Sequence, residues 1–174
     1  MNIPNALSLL RLILVPVFAI VFFSDINGAY LIAGFIFLFA GVTDVLDGHI
    51  ARKYNQITKL GRIIDPLADK LMQVTAFVCM TIAGMIPAWV ILILIAKEAT
   101  MLIGGAIMLK RANDVPPSNV FGKAASAVFY FITLLIIAFP IPELVSKIML
   151  LCALALSVLA LVIYAYRNRH LLKK

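Results

Sequence analysis

The sequence predicts an all-α membrane protein whose chain crosses the bilayer six times. The first observation is its composition: 64% of the 174 residues are hydrophobic and only 13% are charged. In a soluble domain about a quarter of the residues carry a charge. The second is patterning, because apolar stretches of about 20 residues, the length that spans the hydrocarbon core, recur along the chain. A soluble protein of this size has too little interior to bury so much apolar surface.

Six apolar segments make up most of the chain, and short breaks rich in Gly, Pro, Asn and Asp separate them. The predicted spans are residues 3–24, 29–53, 62–84, 87–110, 118–139 and 143–166. None of the breaks is long enough to hold a soluble domain. We therefore expect one transmembrane domain that covers residues 1–174.

The positions of the basic residues predict the orientation of the spans. Lys and Arg flank the second and fourth breaks and fill the C-terminal tail, whereas the other breaks contain neither. By the positive-inside rule, both termini and the stretch from Asp44 to Asp69 face the cytoplasm. The net charge of +7 suits contact with anionic headgroups or phosphorylated ligands and does not choose between them.

Four of the eight acidic residues lie where the second span ends and the third begins. Each Asp at the centre of a membrane helix costs about 2.5–3.5 kcal/mol, and less near the interface, so a compensating interaction is expected. Asp44 and Asp47 are three residues apart and Asp65 and Asp69 are four apart, so each pair shares one helix face. Two antiparallel helices joined by a short loop would bring the two pairs face to face.

Carboxylates grouped in this way repel one another unless cations lie among them, and hard oxygen ligands favour Mg²⁺, Mn²⁺ or Ca²⁺ over zinc. Two metal ions held by carboxylates are a recurring device in phosphoryl chemistry. Gly48 and Ala51 on the same stripe would let a bulky ligand approach the backbone, and Arg52 would suit a phosphate. The alternative is that the aspartates merely pair with nearby basic side chains, which does not explain the small residues between them.

Residues 44–69 resemble the signature of the CDP-alcohol phosphatidyltransferase family. That signature reads Asp, two residues, Asp-Gly, two residues, Ala-Arg, eight residues, Gly, three residues, Asp, three residues, Asp, and this stretch matches every fixed position. The resemblance implies that an alcohol attacks the lipid-bearing phosphorus of a CDP-linked lipid and that CMP leaves. It also implies two divalent cations, Mg²⁺ or Mn²⁺, on the four motif aspartates Asp44, Asp47, Asp65 and Asp69.

The resemblance further implies individual roles. Asp69 would be the catalytic base that takes the acceptor's proton. The small residues Gly48, Ala51 and Gly61 would contact the cytidine nucleotide, and Arg52 would steady its phosphates. The family also implies a homodimer in the bacterial inner (plasma) membrane, with the active site facing the cytoplasm, and no nucleic-acid partner.

The N-terminal residues MNIPNALSLLRLILVP resemble the start of the bacterial phosphatidylglycerophosphate synthases, with Ser8 where many relatives have Thr. This resemblance implies CDP-diacylglycerol as donor and glycerol 3-phosphate as acceptor, so further cations should face the site. The candidates are Arg11, Lys97 and Lys123. The alternative role of Lys97 is a structural ion pair, and that of Lys123 is contact with lipid headgroups.

Two other functions stay open at this point. The same chemistry could serve phosphatidylglycerol (giving cardiolipin), inositol phosphate or serine as acceptor. A cation transporter with an acidic site is the alternative of a different class, although short spans with charge concentrated on one side argue against a continuous path.

Overall fold

The computed structural model describes residues 3–54, 61–97, 99–100 and 120–167, and within these ranges it contains helices and no strand. The all-α prediction is therefore confirmed. The helices are α1 (Ile3–Phe22), α2 (Ala29–Lys53), α3 (Gly61–Ile82), α4 (described over 89–97 and 99–100), α5 (Val120–Ala138) and α6 (Glu143–Arg167).

The helices end where turn residues interrupt the apolar pattern. Gly28 and Gly84 have φ values of 80° and 72°, a backbone conformation that glycine adopts without strain. At Gly84 the chain closes α3 with a Schellman motif, because the N–H of Met85 bonds to Met80 O and the N–H of Gly84 bonds to Thr81 O. Both glycines lie in breaks that the sequence predicts.

Three helices in the described ranges are long and apolar enough to cross a membrane, over Pro4–Phe22, Ala29–Ala51 and Glu143–Arg167. The apolar part of α5, Gly122–Ala138, is shorter. Helix α3 has 22 residues, but its first half carries several charged side chains, including Asp65 and Asp69. Much of the fourth predicted span lies outside the described residues. Six spans and the cytoplasmic termini therefore stay predictions.

The chain forms two compact units. The first contains Met1–Met85 and Leu134–Pro140, and thus α1, α2, α3 and the end of α5. The second contains Ile86–Thr133 and Ile141–Lys174, and thus α4, most of α5 and α6. All four motif aspartates belong to the first unit.

Helix α1 is the centre of the first unit, because it packs extensively against both α2 and α3, which contact each other much less. One face of α1 is buried along its length, at Ser8, Arg11, Phe18 and Phe22. These positions are three, four or seven residues apart, as expected for one face of a helix. The face is polar near the N terminus and aromatic near the C terminus.

The aromatic end of α1 forms a cluster with α2. Phe18 lies 6.2 Å from Phe37 and 5.7 Å from Phe22, and Phe22 lies 5.0 Å from Tyr30, all between ring centroids. Farther along α2, a Cβ added at Gly34 would lie 3.1 Å from Ala138 Cβ, so this glycine allows α2 to approach the end of α5 closely. This packing fixes one end of the unit, and the acidic residues lie at the other.

In the second unit, α6 buries one stripe of small and apolar side chains. Its members are Ser146, Leu150, Ala153, Leu154, Ser157 and Ala160. The hydroxyl of Ser157 donates to Ala153 O, four residues earlier, so this buried polar group is satisfied within its own helix.

Candidate functional site

Arg11 joins the first two motif aspartates. Its two terminal nitrogens lie 2.5 Å from Asp44 Oδ1 and 2.5 Å from Asp47 Oδ2. Because Asp44 and Asp47 are three residues apart on α2, their carboxylates project from neighbouring turns, and one planar guanidinium spans both. The side chains of Arg11 and Asp47 are 1% and 3% exposed, whereas that of Asp44 is 41% exposed. The bridge thus runs from the interior of the unit to its edge.

Ser8 provides a second link, one turn before Arg11 on the same face of α1. Its hydroxyl donates to Asp65 Oδ1 on α3 and also lies 2.9 Å from Pro4 O. Ser8 is completely buried. Two successive turns of α1 therefore contact both acidic helices, with Arg11 on the α2 aspartates and Ser8 on the first α3 aspartate.

Asp69 lies one turn beyond Asp65 on α3 and is 26% exposed. Gln73, a further turn along, donates from Nε2 to both carboxylate oxygens of Asp69, at 3.4 and 3.3 Å. Lys70 Nζ lies 3.8 Å from Asp69 Oδ2, at the outer limit of an ion pair. This carboxylate is thus half-buried and partly accessible, with an amide that fixes its orientation.

The sequence predicts that the two aspartate pairs face each other directly across α2 and α3, and the structure adds α1 to that arrangement. Ser8 and Arg11 supply the hydrogen bond and the positive charge that the carboxylates need when they leave water. Periodicity within α2 and α3 could not indicate which third helix would provide these groups.

The donor chemistry of these residues fits a hard divalent cation. Among residues 3–54, 61–97, 99–100 and 120–167, no three His, Cys, Asp or Glu side chains are grouped as ligands of one ion. Three carboxylates are nevertheless tied to adjacent turns of α1, and Arg11 uses one oxygen each of Asp44 and Asp47. A carboxylate has about four lone-pair sites, so each of these two can accept a further ligand besides Arg11. Oxygen donors of this kind suit Mg²⁺ or Mn²⁺.

The residues expected to contact the nucleotide lie beside the aspartates in the chain. Gly48 and Ala51 are half-buried on α2, and Gly61 is buried at the start of α3. The side chain of Arg52 lies outside the described part of the structure. Contact of these four residues with a nucleotide stays a prediction.

The three residues expected to bind the acceptor have different surroundings. Arg11 directs both terminal nitrogens to aspartates. Lys97, on α4 in the second unit, places Nζ 5.6 Å from the centroid of the Phe129 ring, in the range of a cation–π contact. Lys123, on α5, is exposed. An aromatic partner for Lys97 is a finding that the sequence analysis did not predict.

The contacts of Gln73 with Asp69 and of Ser8 with Asp65 were not predicted. A spacing signal exists for the first, because Asp65, Asp69 and Gln73 follow one another at four-residue intervals and so extend one polar stripe of α3. For the second, Ser8 and Arg11 are three residues apart in an otherwise apolar helix. Two polar residues on one face of a membrane helix indicate a buried polar partner.

Comparison with known proteins identifies the family of this chain. The family model described as CDP-alcohol phosphatidyltransferase matches residues 1–159. The match covers α1, which bears Ser8 and Arg11, together with the signature on α2 and α3. The resemblance drawn from residues 44–69 is therefore confirmed.

Individual relatives extend the comparison. A Streptomyces coelicolor protein named cardiolipin synthase (CMP-forming) is 38% identical over 129 residues, which are 72% of this chain and 60% of that protein. A Bacillus subtilis protein named CDP-diacylglycerol–glycerol-3-phosphate 3-phosphatidyltransferase is 32% identical over 134 residues, 70% of this chain and 69% of that protein. An Aquifex aeolicus protein of the same name is 36% identical over 125 residues, 71% of this chain and 68% of that protein.

The matched region thus spans about three fifths of the Streptomyces protein and slightly more than two thirds of the other two. The family model spans far more than half of this chain and includes every residue of the aspartate site. On these matches, the chain belongs to the CDP-alcohol phosphatidyltransferase family.

Proposed function

We propose that this protein transfers the phosphatidyl group of CDP-diacylglycerol to glycerol 3-phosphate, forming phosphatidylglycerophosphate and releasing CMP. The observation that carries the proposal is the attachment of Asp44, Asp47 and Asp65 to two successive turns of α1 in a member of this family. The names of the Bacillus and Aquifex relatives support this choice of acceptor.

In the proposed reaction, a bond forms between the acceptor's hydroxyl oxygen and the lipid-bearing phosphorus, and the bond from that phosphorus to CMP breaks. Asp69 takes the hydroxyl proton as general base. It suits this role because its carboxylate is 26% exposed and is oriented by Gln73. Asp44, Asp47, Asp65 and Asp69 would hold two divalent ions, Mg²⁺ or Mn²⁺, whose positive charge would offset that of the diphosphate and of the departing CMP.

The nucleotide half of the donor lies along α2 in this proposal. Gly48 and Ala51, one turn apart, present little side-chain bulk beside Asp47, and Gly61 does the same at the start of α3. Arg52 contributes a positive charge for the phosphates. With the nucleotide bound in this way, the diphosphate lies next to the aspartates and the acyl chains stay in lipid.

The membrane arrangement belongs to the same proposal. The three long apolar helices and the membership of this family support a membrane protein. We propose six spans in one domain, with both termini and the aspartate site on the cytoplasmic side of a bacterial plasma membrane. The basic residues at the second and fourth breaks support that orientation. A homodimer is part of the proposal through the family resemblance alone.

A second candidate function keeps the donor and changes the acceptor. The Streptomyces relative is named a cardiolipin synthase, and it is 38% identical to this chain over the matched residues. Phosphatidylglycerol would then be the acceptor and cardiolipin the product. Its single phosphodiester charge requires fewer cations than the phosphate of glycerol 3-phosphate.

Purified protein in lipid nanodiscs, supplied with CDP-diacylglycerol and Mg²⁺, provides the test. We expect CMP release on addition of glycerol 3-phosphate, with phosphatidylglycerophosphate identified by mass spectrometry. Release with phosphatidylglycerol alone, with cardiolipin as product, would support the second candidate. Release with only inositol phosphate or serine would assign the acceptor differently.

If none of these acceptors led to CMP release, phosphatidyl transfer would be contradicted altogether. The same preparation in sealed vesicles separates an enzyme from a cation transporter. Transport of Mn²⁺ across the membrane without CMP release would favour the transporter, whereas the enzyme should release CMP without a flux.

A further inference from the structure

We propose that Arg11 is a positioning residue, which orients Asp44 and Asp47 for cation binding and does not bind the acceptor's phosphate. Ser8 does the same for Asp65. The inference rests on the proposed metal-dependent function and deepens it. It assigns the N-terminal helix to the metal site, outside the signature at residues 44–69.

The guanidinium of Arg11 bridges two carboxylates. One terminal nitrogen contacts Asp44 Oδ1 and the other contacts Asp47 Oδ2, at 2.5 Å each. Arg11 thereby contacts one oxygen of each carboxylate, and each carboxylate has further lone pairs for a cation. Carboxylates that bind metal are commonly hydrogen-bonded in this manner by a second layer of residues.

Burial keeps the positive charge of Arg11 beside the aspartates. Arg11 is 1% exposed, and its Nε is buried without a hydrogen-bond partner among the described residues. If an incoming cation displaced the guanidinium from both aspartates, it would strand a positive charge inside the helix bundle, which is strongly unfavourable. Arg11 therefore stays on the carboxylates when the cation binds.

Arg11 is poorly placed to bind the phosphate of the acceptor. A phosphate is best bound by the paired donors of the guanidinium fork, and in Arg11 both terminal nitrogens are already engaged by aspartates. The dianion would have to break a buried ion pair and also approach two carboxylates. This arrangement disfavours the acceptor role that the sequence predicts for Arg11.

Ser8 connects the same face of α1 to an aspartate of α3. It lies one turn from Arg11 on the same buried face and donates to Asp65 on α3. Since α2 and α3 contact each other less than either contacts α1, the spacing between the α2 and α3 aspartates depends on these two side chains. Residues on one rigid helix are well suited to hold such a distance.

The test measures Mn²⁺ affinity by calorimetry, without nucleotide, for full-length protein in nanodiscs. The variants are Arg11→Met, Arg11→Lys and Ser8→Ala. We expect Arg11→Met to weaken Mn²⁺ binding about ten- to hundredfold, the range typical of lost second-layer partners. Arg11→Lys keeps the charge but lacks the planar fork that spans two carboxylates, so its loss should be intermediate.

Phe22→Leu is the matched control for general destabilisation. Phe22 is buried on the same face of α1, but it lies 11 residues, or about 16 Å, beyond Arg11. We expect this variant to lower the melting temperature and leave Mn²⁺ affinity unchanged. Should Arg11→Met fail to fold, Arg11→Lys and Ser8→Ala carry the test.

A second readout separates positioning from acceptor binding. At saturating Mn²⁺, the KM for glycerol 3-phosphate in Arg11→Lys should remain within about threefold of the wild-type value. Mn²⁺ affinity that is unchanged or tighter in Arg11→Met would overturn the inference, because it would make Arg11 at most a competitor of the cation. A raised acceptor KM with unchanged Mn²⁺ affinity would overturn it as well.

Failure of the proposed function is distinguishable from failure of this inference. Wild-type protein that neither binds Mn²⁺ nor releases CMP contradicts both. Wild-type protein that does both, with Arg11 variants that bind Mn²⁺ normally, contradicts the inference alone.

Discussion

Ser8 on α1 donates a hydrogen bond to Asp65 on α3, so a residue that precedes the family signature by more than thirty positions contacts its third aspartate. The aspartate site of this protein is therefore built from three helices. The contribution of α1 places N-terminal residues in the site together with residues of α2 and α3.

Removing the proposed base should stop turnover without unfolding the protein. Asp69→Asn keeps the size of the side chain and its contact with Gln73 but cannot take a proton. We expect CMP release to fall about 10²–10⁴-fold, the usual contribution of general base catalysis. Helix content by circular dichroism should not change. Asp25→Asn, at an exposed position between α1 and α2, is the matched control, and near-normal turnover of Asp69→Asn would remove this residue from the base role.

The Ser8 hydroxyl should contribute to stability. Ser8→Ala leaves the Asp65 carboxylate without this donor, and a hydrogen bond to a charged group contributes about 1.5–3 kcal/mol. We expect a lower melting temperature for Ser8→Ala in detergent and a smaller change for Ser8→Thr, which retains the hydroxyl. Equal melting temperatures for Ser8→Ala and wild type would show that Asp65 finds another partner.

Gly34 should tolerate no branched side chain. A Cβ at this position would lie 3.1 Å from Ala138 Cβ, and valine adds two further methyl groups to that contact. We expect Gly34→Val to lower the free energy of unfolding by about 1–3 kcal/mol, as overpacking does. Ala138→Gly in the same chain should restore part of the loss. Strictly additive effects of the two substitutions would show that they do not act at one contact.

Lys97 should affect the acceptor more than the donor. Its Nζ lies over the Phe129 ring, which holds a charged side chain within an apolar helix. We expect Lys97→Ala to raise the KM for glycerol 3-phosphate more than the KM for CDP-diacylglycerol. The matched control is Lys147→Ala on α6, whose partner Glu143 lies 2.7 Å away. Equal changes in both KM values would place Lys97 away from the acceptor.

Removal of divalent ions should abolish activity reversibly. Oxygen ligands alone favour Mg²⁺ and Mn²⁺, so chelation should end CMP release and either ion should restore it. Calcium is the informative comparison, because it binds oxygen donors at longer distances and in looser geometry. Full activity in the presence of chelator would contradict a metal-dependent reaction.

The sequence predicted the helices well because their signals are local. Apolar runs, with Gly28 and Gly84 at their breaks, locate five helices to within about two residues. The three- and four-residue spacings of the aspartates likewise placed each pair on one face. These features depend only on neighbours in the chain.

The partners of the charged side chains were harder to predict, because they depend on which helices pack together. The position of Arg11 in the sequence does not indicate that both of its terminal nitrogens would bind aspartates on α2. Lys97 was expected to face the acceptor site, and its contact with the Phe129 ring was not predicted. An aromatic ring and a carboxylate both stabilise a buried cation, and periodicity does not distinguish them.

The buried face of α1 also has a consequence for how the chain assembles. Ser8 and Arg11 on this face bind carboxylates, and Phe18 packs against an aromatic ring of α2. Sliding α1 by a single turn along its neighbours would pull Arg11 away from its two carboxylates and break the ring contacts at the opposite end. Helix α1 can therefore pack against its neighbours in one register only. Inserting or deleting even one residue between Arg11 and Phe18 should be among the least tolerated changes in the protein.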